Sequence, residues 1–273
     1  MKLLDDYHWV PHVFSIELKK TFSYRLMFWA QFFMGTGTEI AVNYFVWLAV
    51  FAAKGTDNIA GFTFHGMVFY LLFAGFASKI TRGTERGYIS NEIYDGSLNR
   101  YLLYPLAFFP YKYVTHLLQQ MMGVVQMVIT FALLRLALGD SGGHPITLGS
   151  LFAGIATCLL TGYVHFVLMS CIELVAFWQD VIWNLMVMTR FCMSLLGGGM
   201  VPLALFPEWG RHAALLTPFP ALVSFPARTF LGEVGAREWV QNAGVLALWG
   251  IGFSLLLNWI WQKGTRHYSG VGI

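Results

Sequence analysis

Charge is what this sequence has least of. Asp, Glu, Lys and Arg make up 11% of its 273 residues, against roughly 25% in soluble domains. A water-soluble chain of this length needs far more charge to cover its surface, so a soluble globular fold is excluded. Disorder is excluded for the opposite reason, since 57% of the residues are hydrophobic and 17% aromatic, too many for a chain that cannot build a core. Cysteine is scarce as well. Cys158, Cys171 and Cys192 are odd in number and lack metal-ligand spacing, which leaves small core residues rather than a disulfide framework or a zinc centre. Residues 1–22 lack the short apolar core and small-residue cleavage site of a secretory signal.

The chemical motifs are missing too. No Gly-x-x-x-x-Gly-Lys-Ser/Thr occurs, so the chain carries no phosphate-binding P-loop. Zincin, Cys-x-x-Cys and EF-hand patterns are equally absent. His65, His116 and His165 are scattered, and none pairs with another at metal-ligand spacing within an apolar run. No catalytic residue, cofactor, metal or nucleic-acid partner is expected of this chain.

What is present is long apolar runs. A spanning helix needs about 20 predominantly apolar residues, and six runs qualify: 24–51, 62–78, 114–138, 148–177, 183–205 and 239–261. The fold class is an all-α integral membrane protein with six transmembrane helices in one domain, 1–273. Lys and Arg set its orientation. Lys2, Lys19, Lys20, Arg25, Lys79, Arg82, Arg86, Arg100, Lys112, Lys263 and Arg266 gather on one side. Lys54, Arg211, Arg228 and Arg237 remain for the other. This bias places both termini in the cytoplasm, and Trp29, Trp47, Trp183, Trp239 and Trp259 near the run ends suit an aromatic belt.

Three segments stand apart from the runs. In residues 1–22, Leu3, Tyr7, Val10, Phe14 and Leu18 recur at helical spacing, with His8, His12, Ser15 and Lys19 on another face. This pattern predicts an amphipathic helix in the membrane surface, starting near Pro11. Residues 79–112 form the longest cytoplasmic segment. A short helix over 85–94 ends at the Asp95-Gly96 turn, Ser97 caps a second over 98–104, and Pro105 and Pro110 break the chain before the third run. In residues 197–238, three glycines precede Pro202, Pro207, Pro218, Pro220 and Pro226. An apolar stretch so punctuated cannot span as one helix, and it predicts an extracytoplasmic re-entrant hairpin of two short helices.

Charges inside the runs are costly, about 2.5–3.5 kcal/mol each on insertion scales, so each must face the bundle interior, water or a partner. Glu39, with Asn43 one turn on, lies in a polar notch of the first run. It either lines a translocation path or makes an interhelix hydrogen bond. Arg135 is placed to snorkel to the interface, and Glu173 lies near the inner end of the fourth run.

Together the six runs, the surface helix, the basic loop and the Gly/Pro-rich hairpin resemble the permease subunits of ABC-2 type exporters, in the poorly characterised branch of that family. The most specific stretch is Gly96-Ser97-Leu98 followed by Tyr101-Leu102-Leu103 and Pro105, which resembles a family signature. The stretch Gly198 to Pro207 is similar to a second Gly/Pro pattern. The resemblance implies two permease subunits, identical or homologous, around a pathway in the bacterial-type inner membrane. It also implies two partner ABC ATPase subunits that hold ATP and Mg. Carried over by position, Glu92, Ile93, Tyr94, Asp95 and Gly96 are the ATPase-docking coupling helix, with Ile93 and Tyr94 filling a groove and Glu92 and Asp95 orienting it. A second, minor contact is implied at 178–182. Glu17 and Lys19 of the surface helix are expected to form salt bridges to the coupling loop.

On this reading ATP closure draws the coupling loops together and rearranges the first, second and fifth runs by alternating access. Phe32, Phe73 and Met193 then join Glu39 and Asn43 as candidate pathway residues. An apolar lining suits an amphiphilic or lipid-like cargo. The alternatives are a membrane-embedded transferase, which needs clustered acid and His residues at a membrane face, and a secondary transporter, which needs a second broken helix in an inverted repeat.

Overall fold

The computed structural model describes residues 8–23, 25–83, 89–104, 106–138 and 147–268, with 134–138 described by backbone alone. Every regular element among them is helical. Five helices are long and apolar enough to cross a membrane. They are α2 (Arg25–Lys54), α3 (Phe64–Arg82), α6 (Phe108–Leu138), α7 (Leu148–Glu173) and α12 (Ala236–His267). Besides 3-10 turns at Leu174–Phe177 and Leu203–Leu205, seven shorter α-helices accompany them among the described residues. These are α1 (Val10–Ser23), α4 (Ile89–Tyr94), α5 (Leu98–Leu102), α8 (Trp183–Leu196), α9 (Glu208–Leu215), α10 (Phe219–Leu222) and α11 (Ser224–Phe230).

Local chemistry sets several of these boundaries. Thr63 and Thr147 begin α3 and α7 by accepting the backbone N–H of Gly66 and Ser150, as N-cap hydroxyls do. Gly83, at φ +64°, ends α3. Because α3 runs on to Arg82 and α6 begins at Phe108, Lys79, Arg82 and Lys112 belong to long helices, and the connecting segment is shorter than the expected 79–112. Pro110 does not break the chain. It sits in the first turn of α6, where its missing N–H has no intrahelical partner to lose. Pro105, Arg86, the 85–88 part of the expected short helix, and the Arg135 side chain lie outside the description.

The fifth apolar run also differs from its expected extent. Instead of a helix over 183–205, α8 stops at Leu196. The N–H groups of Gly199 and Met200 turn back to the Ser194 carbonyl, 2.8 and 3.1 Å away. Three successive glycines, with Gly198 at φ +83°, permit this reversal where a side chain resists it. The following segment then folds into three short helices, α9 to α11, rather than two.

Among the described residues the bundle has two cores. The larger lies toward the proline-rich end, where α11 is wedged between α3 and α7. Phe230 is fully buried and stacks on Phe73 of α3, ring centroids 5.7 Å apart. Its ring occupies the place a Cβ would take at Gly154 of α7, the close approach that small residues permit between membrane helices. Trp239 Nε1 donates to Thr157 Oγ1 (2.8 Å), and the Tyr70 hydroxyl donates to the Gly198 carbonyl (3.1 Å). The smaller core sits at the opposite, basic end and gathers α4, α5, the ends of α7 and α12, and the first turn of α8. Outside these cores, α2 and α12 expose Leu26, Phe45, Leu248 and Leu255, as faces turned to lipid or to another subunit do.

Candidate functional site

A six-residue helix such as α4 cannot stand alone in water. Four separate anchors hold it at the basic end. Ile93 of α4 and Leu98 of α5 are 2% and 0% exposed, sunk among Leu174, Phe177, Ile182 and Leu257. The Glu173 carboxylate, from the end of α7, accepts the N–H of Ile89 at 2.5 Å. That N–H is one of the four donors a helix leaves unpaired at its N-terminus, and a carboxylate there also meets the favourable end of the helix dipole. Glu92 forms an ion pair with Lys112 of α6, both side chains 11% exposed. Lys112 Nζ also lies 4.8 Å from the centre of the Tyr101 ring, within cation–π range. Finally, the Tyr94 hydroxyl donates to the Gln179 carbonyl at 3.0 Å. The helix is thus tied to α6, to α7 and to the 178–182 connection.

The turn that follows is built from Asp95 and Gly96. Gly96 adopts φ +73°, a conformation that favours glycine. Asp95 Oδ1 accepts the Ser97 N–H at 2.9 Å, and the Ser97 hydrogen bonds hold its carboxyl below the usual carboxylate range. Ser97 makes no side-chain cap of α5, contrary to the sequence expectation. Its N–H is a donor to Asp95 instead. Burial raises the Tyr94 hydroxyl above its ordinary pKa. Burial, and next the Glu92 carboxylate, push Tyr101 up to about 12, so it remains a neutral hydroxyl at physiological pH.

Exposure divides the expected docking tip in two. Asn91, Asp95, Asn99 and Arg100 are exposed, and Leu103 is 85% exposed. Tyr94 and Gly96 are half-buried. Glu92 and Ile93 face inward, which corrects the expectation that they meet a partner's groove. Their chemistry is used on this chain, Ile93 as an apolar plug and Glu92 as the counter-ion of Lys112. Beside them Gln179, Asp180 and Val181 are exposed, so the two connections form one surface.

Helix α1 lies along α6, with the Trp9 and Tyr111 rings 6.2 Å apart. Glu17 pairs with Lys20 at 2.5 Å, one helical turn away, and Lys19 is exposed. Among the described residues Glu17 thus pairs within its own helix, and the 84–88 part of the loop that Glu17 and Lys19 are expected to meet lies outside the described residues. Glu17 and Glu92 nonetheless line the same cavity, about 280 Å³ in volume.

The span-one polar residue has a partner the sequence did not single out. Glu39 forms a 2.5 Å ion pair with Lys79 of α3, and Lys79 also donates to Thr36 Oγ1 at 3.3 Å. Gly75 of α3 makes room, since Glu39 occupies the position of its absent side chain. Glu39 thus makes an interhelix contact, as an ion pair. Asn43 is half-buried one turn along α2. Phe32 packs against Trp29 and Phe33, Phe73 against Phe230 and Phe131, and Met193 is 3% exposed in the larger core. Phe32, Phe73 and Met193 all belong to the larger core, while Glu39 and Asn43 lie a few turns further along α2.

Sequence reasoning also missed Lys112 as a buried counter-ion, Glu173 as a cap, and the meeting of His116 with His165. Those two rings stack with centroids 6.3 Å apart, although 49 positions separate them in sequence, a pairing no local pattern reveals. Among the described residues no three His, Cys, Asp or Glu side chains group to hold a metal ion. Compared with known proteins, residues 38–272 match the model of a family described as ABC-2 family transporter protein. No curated protein and no solved structure matches the chain.

Proposed function

The chain belongs to the ABC-2 family of transporter proteins, and on that premise we propose that it is the permease subunit of an ATP-driven exporter. Two partner ATPase subunits carry the ATP and Mg sites. A second permease subunit, identical or homologous, completes the pathway. The complex sits in a bacterial-type inner membrane with both termini in the cytoplasm, so that the basic end faces the ATPases. Helix α8, about 21 Å long at 1.5 Å per residue, and the turn after it serve as a short fifth span beside the five long helices. Helix α1 lies in the membrane surface, and α9 to α11 re-enter from the outer side. The cargo is amphiphilic or lipid-like, and Glu39, Asn43, Phe32, Phe73 and Met193 border its path when the bundle opens.

One observation carries this reading. The segment Ile89–Leu102 is bound to α6 and α7 on its inner side and presents Asn91, Asp95 and Arg100 on its outer side. A push from an ATPase on that outer edge reaches both spans through the Glu173 cap and the Glu92–Lys112 pair. The docking role rests on Asn91, Asp95 and the Gly96 turn, with Glu92, Ile93 and Tyr94 holding them in place.

The test is charge reversal at the exposed edge. Asp95→Arg is expected to abolish co-purification of the ATPase and ATP-driven transport while the purified chain stays folded, with at most a small drop in melting temperature from the lost Ser97 hydrogen bond. Retention of both activities sinks the docking assignment.

A further inference from the structure

The cavity between α1, α2, the coupling segment and α6 is not used by the permease reading. Its mouth carries Glu17, Lys20 and Thr21 of α1. Its wall carries Glu92, Tyr101, Tyr111 and Lys112. Its floor carries Phe28, Leu118 and Met122, one to four turns inside α2 and α6. The cavity therefore runs from the charged end of the bundle into the depth of its apolar spans. Met27 and Met121, next in sequence to the lining residues Phe28 and Met122, are exposed on α2 and α6.

The charges in the cavity balance and are distributed in two pairs, Glu17 with Lys20 and Glu92 with Lys112. One acceptor is left over. Glu92 gives one oxygen to Lys112, and its other, Oε2, is buried without a hydrogen-bond partner. A buried carboxylate oxygen left unpaired is costly, and Phe28, Tyr101 and Tyr111, which line the same cavity as Glu92, are rings that favour a cation. Lys112 and Lys20, each an ammonium with three donors, supply the complementary sites for an anion.

We propose that this cavity binds the zwitterionic head group of one phospholipid-like amphiphile, its ammonium on Glu92 and Glu17 and its phosphate on Lys112 and Lys20, with its chains leaving past Phe28, Leu118 and Met122. A purely anionic head group leaves Glu92 Oε2 unsatisfied and brings negative charge against two carboxylates. An uncharged detergent uses neither pair. The site is distinct from the docking edge, since Asn91, Asp95 and Arg100 do not line it.

The test needs no ATPase, so it stands or falls separately from the permease reading. The full chain, purified in detergent, is offered phosphatidylethanolamine or phosphatidylglycerol in mixed micelles, and retained lipid is counted by native mass spectrometry. One phosphatidylethanolamine per chain is expected, with phosphatidylglycerol retained at about a tenth of that level, the loss of a charge-assisted contact. Glu92→Gln strands Lys112 and risks the fold, so Glu17→Gln and Thr21→Trp are the variants of choice. Both side chains lie at the mouth. Each is expected to lower phosphatidylethanolamine retention by roughly threefold to tenfold without shifting the melting temperature. Equal retention of the two lipids, or wild-type retention in both variants, overturns the proposal. Displacement by soluble phosphoethanolamine at equal concentration overturns the lipid as its source.

Discussion

Two runs of short helices join the spans of this protein, and they are held in opposite ways. At the proline-rich end, α11 is held by shape. Phe225, Ala227 and Phe230 are at most 3% exposed, and Phe230 fills the notch at Gly154. At the basic end, α4 and α5 are held by a cap, an ion pair and two apolar plugs, and they keep an exposed polar edge. A wedge fitted by packing has one low-energy position, because packed interiors do not deform continuously. A segment held by directional bonds moves with whatever carries its partners, here α6 and α7. The first arrangement suits a fixed part of the bundle, the second a joint.

The comparison breaks most visibly at the wedge. Phe230→Ala is expected to cost about 3–5 kcal/mol of stability, the range for a buried aromatic cut to Ala, read from unfolding in mixed micelles. A loss under about 1 kcal/mol shows that α11 is not fixed by packing. At the joint the effect is smaller and local. Glu173→Gln keeps the shape of the cap but removes its charge, and is expected to cost about 1–2 kcal/mol. Hydrogen exchange at the Ile89 amide should speed up while that at Phe230 stays slow. Equal acceleration at both sites removes the distinction between wedge and joint. The Glu39–Lys79 pair, with side chains about one-third exposed, is expected to contribute no more than about 1 kcal/mol. A double-mutant cycle measures it.

The smallest effect is a dependence on pH. The Asp95 carboxyl titrates below its unfolded value because Ser97 donates to it. Its contribution is therefore complete above the ordinary carboxylate pKa and is lost as pH falls through the lower folded value. The protection factor of the Ser97 amide should be independent of pH above about pH 5. It should fall on further acidification, and Asp95→Asn should flatten that response. An unchanged acid response in Asp95→Asn contradicts the turn geometry.

Much of the fold was legible because membrane spans announce themselves by apolar length. The five long helices follow five of the six runs within a few residues at most ends; α12 runs on to His267, and α6 begins early because Pro110 is tolerated in a first turn. The break at Gly197-Gly198-Gly199 was visible too, but its consequence for the fifth run was not, since three glycines only permit a reversal that tertiary packing then selects. At the candidate site, sequence located the segment and its turn through Asp95-Gly96. It misjudged which side chains face outward, because α4 buries both Glu92 and Ile93 and a one-turn pattern cannot say which side meets the bundle. The partners that settle this, Lys112, Glu173 and Lys79, come from other helices, and no local spacing links them.

The central claim is that the exposed edge of the joint is where an engine attaches. A photoreactive amino acid placed at Asn91 or Asp95, and for contrast at Glu208 beyond the wedge, tests it in membranes of the native host. Cross-linked adducts with a P-loop ATPase are expected from Asn91 and Asp95 and not from Glu208. Adducts from Glu208, or their absence at both joint positions, contradict the account.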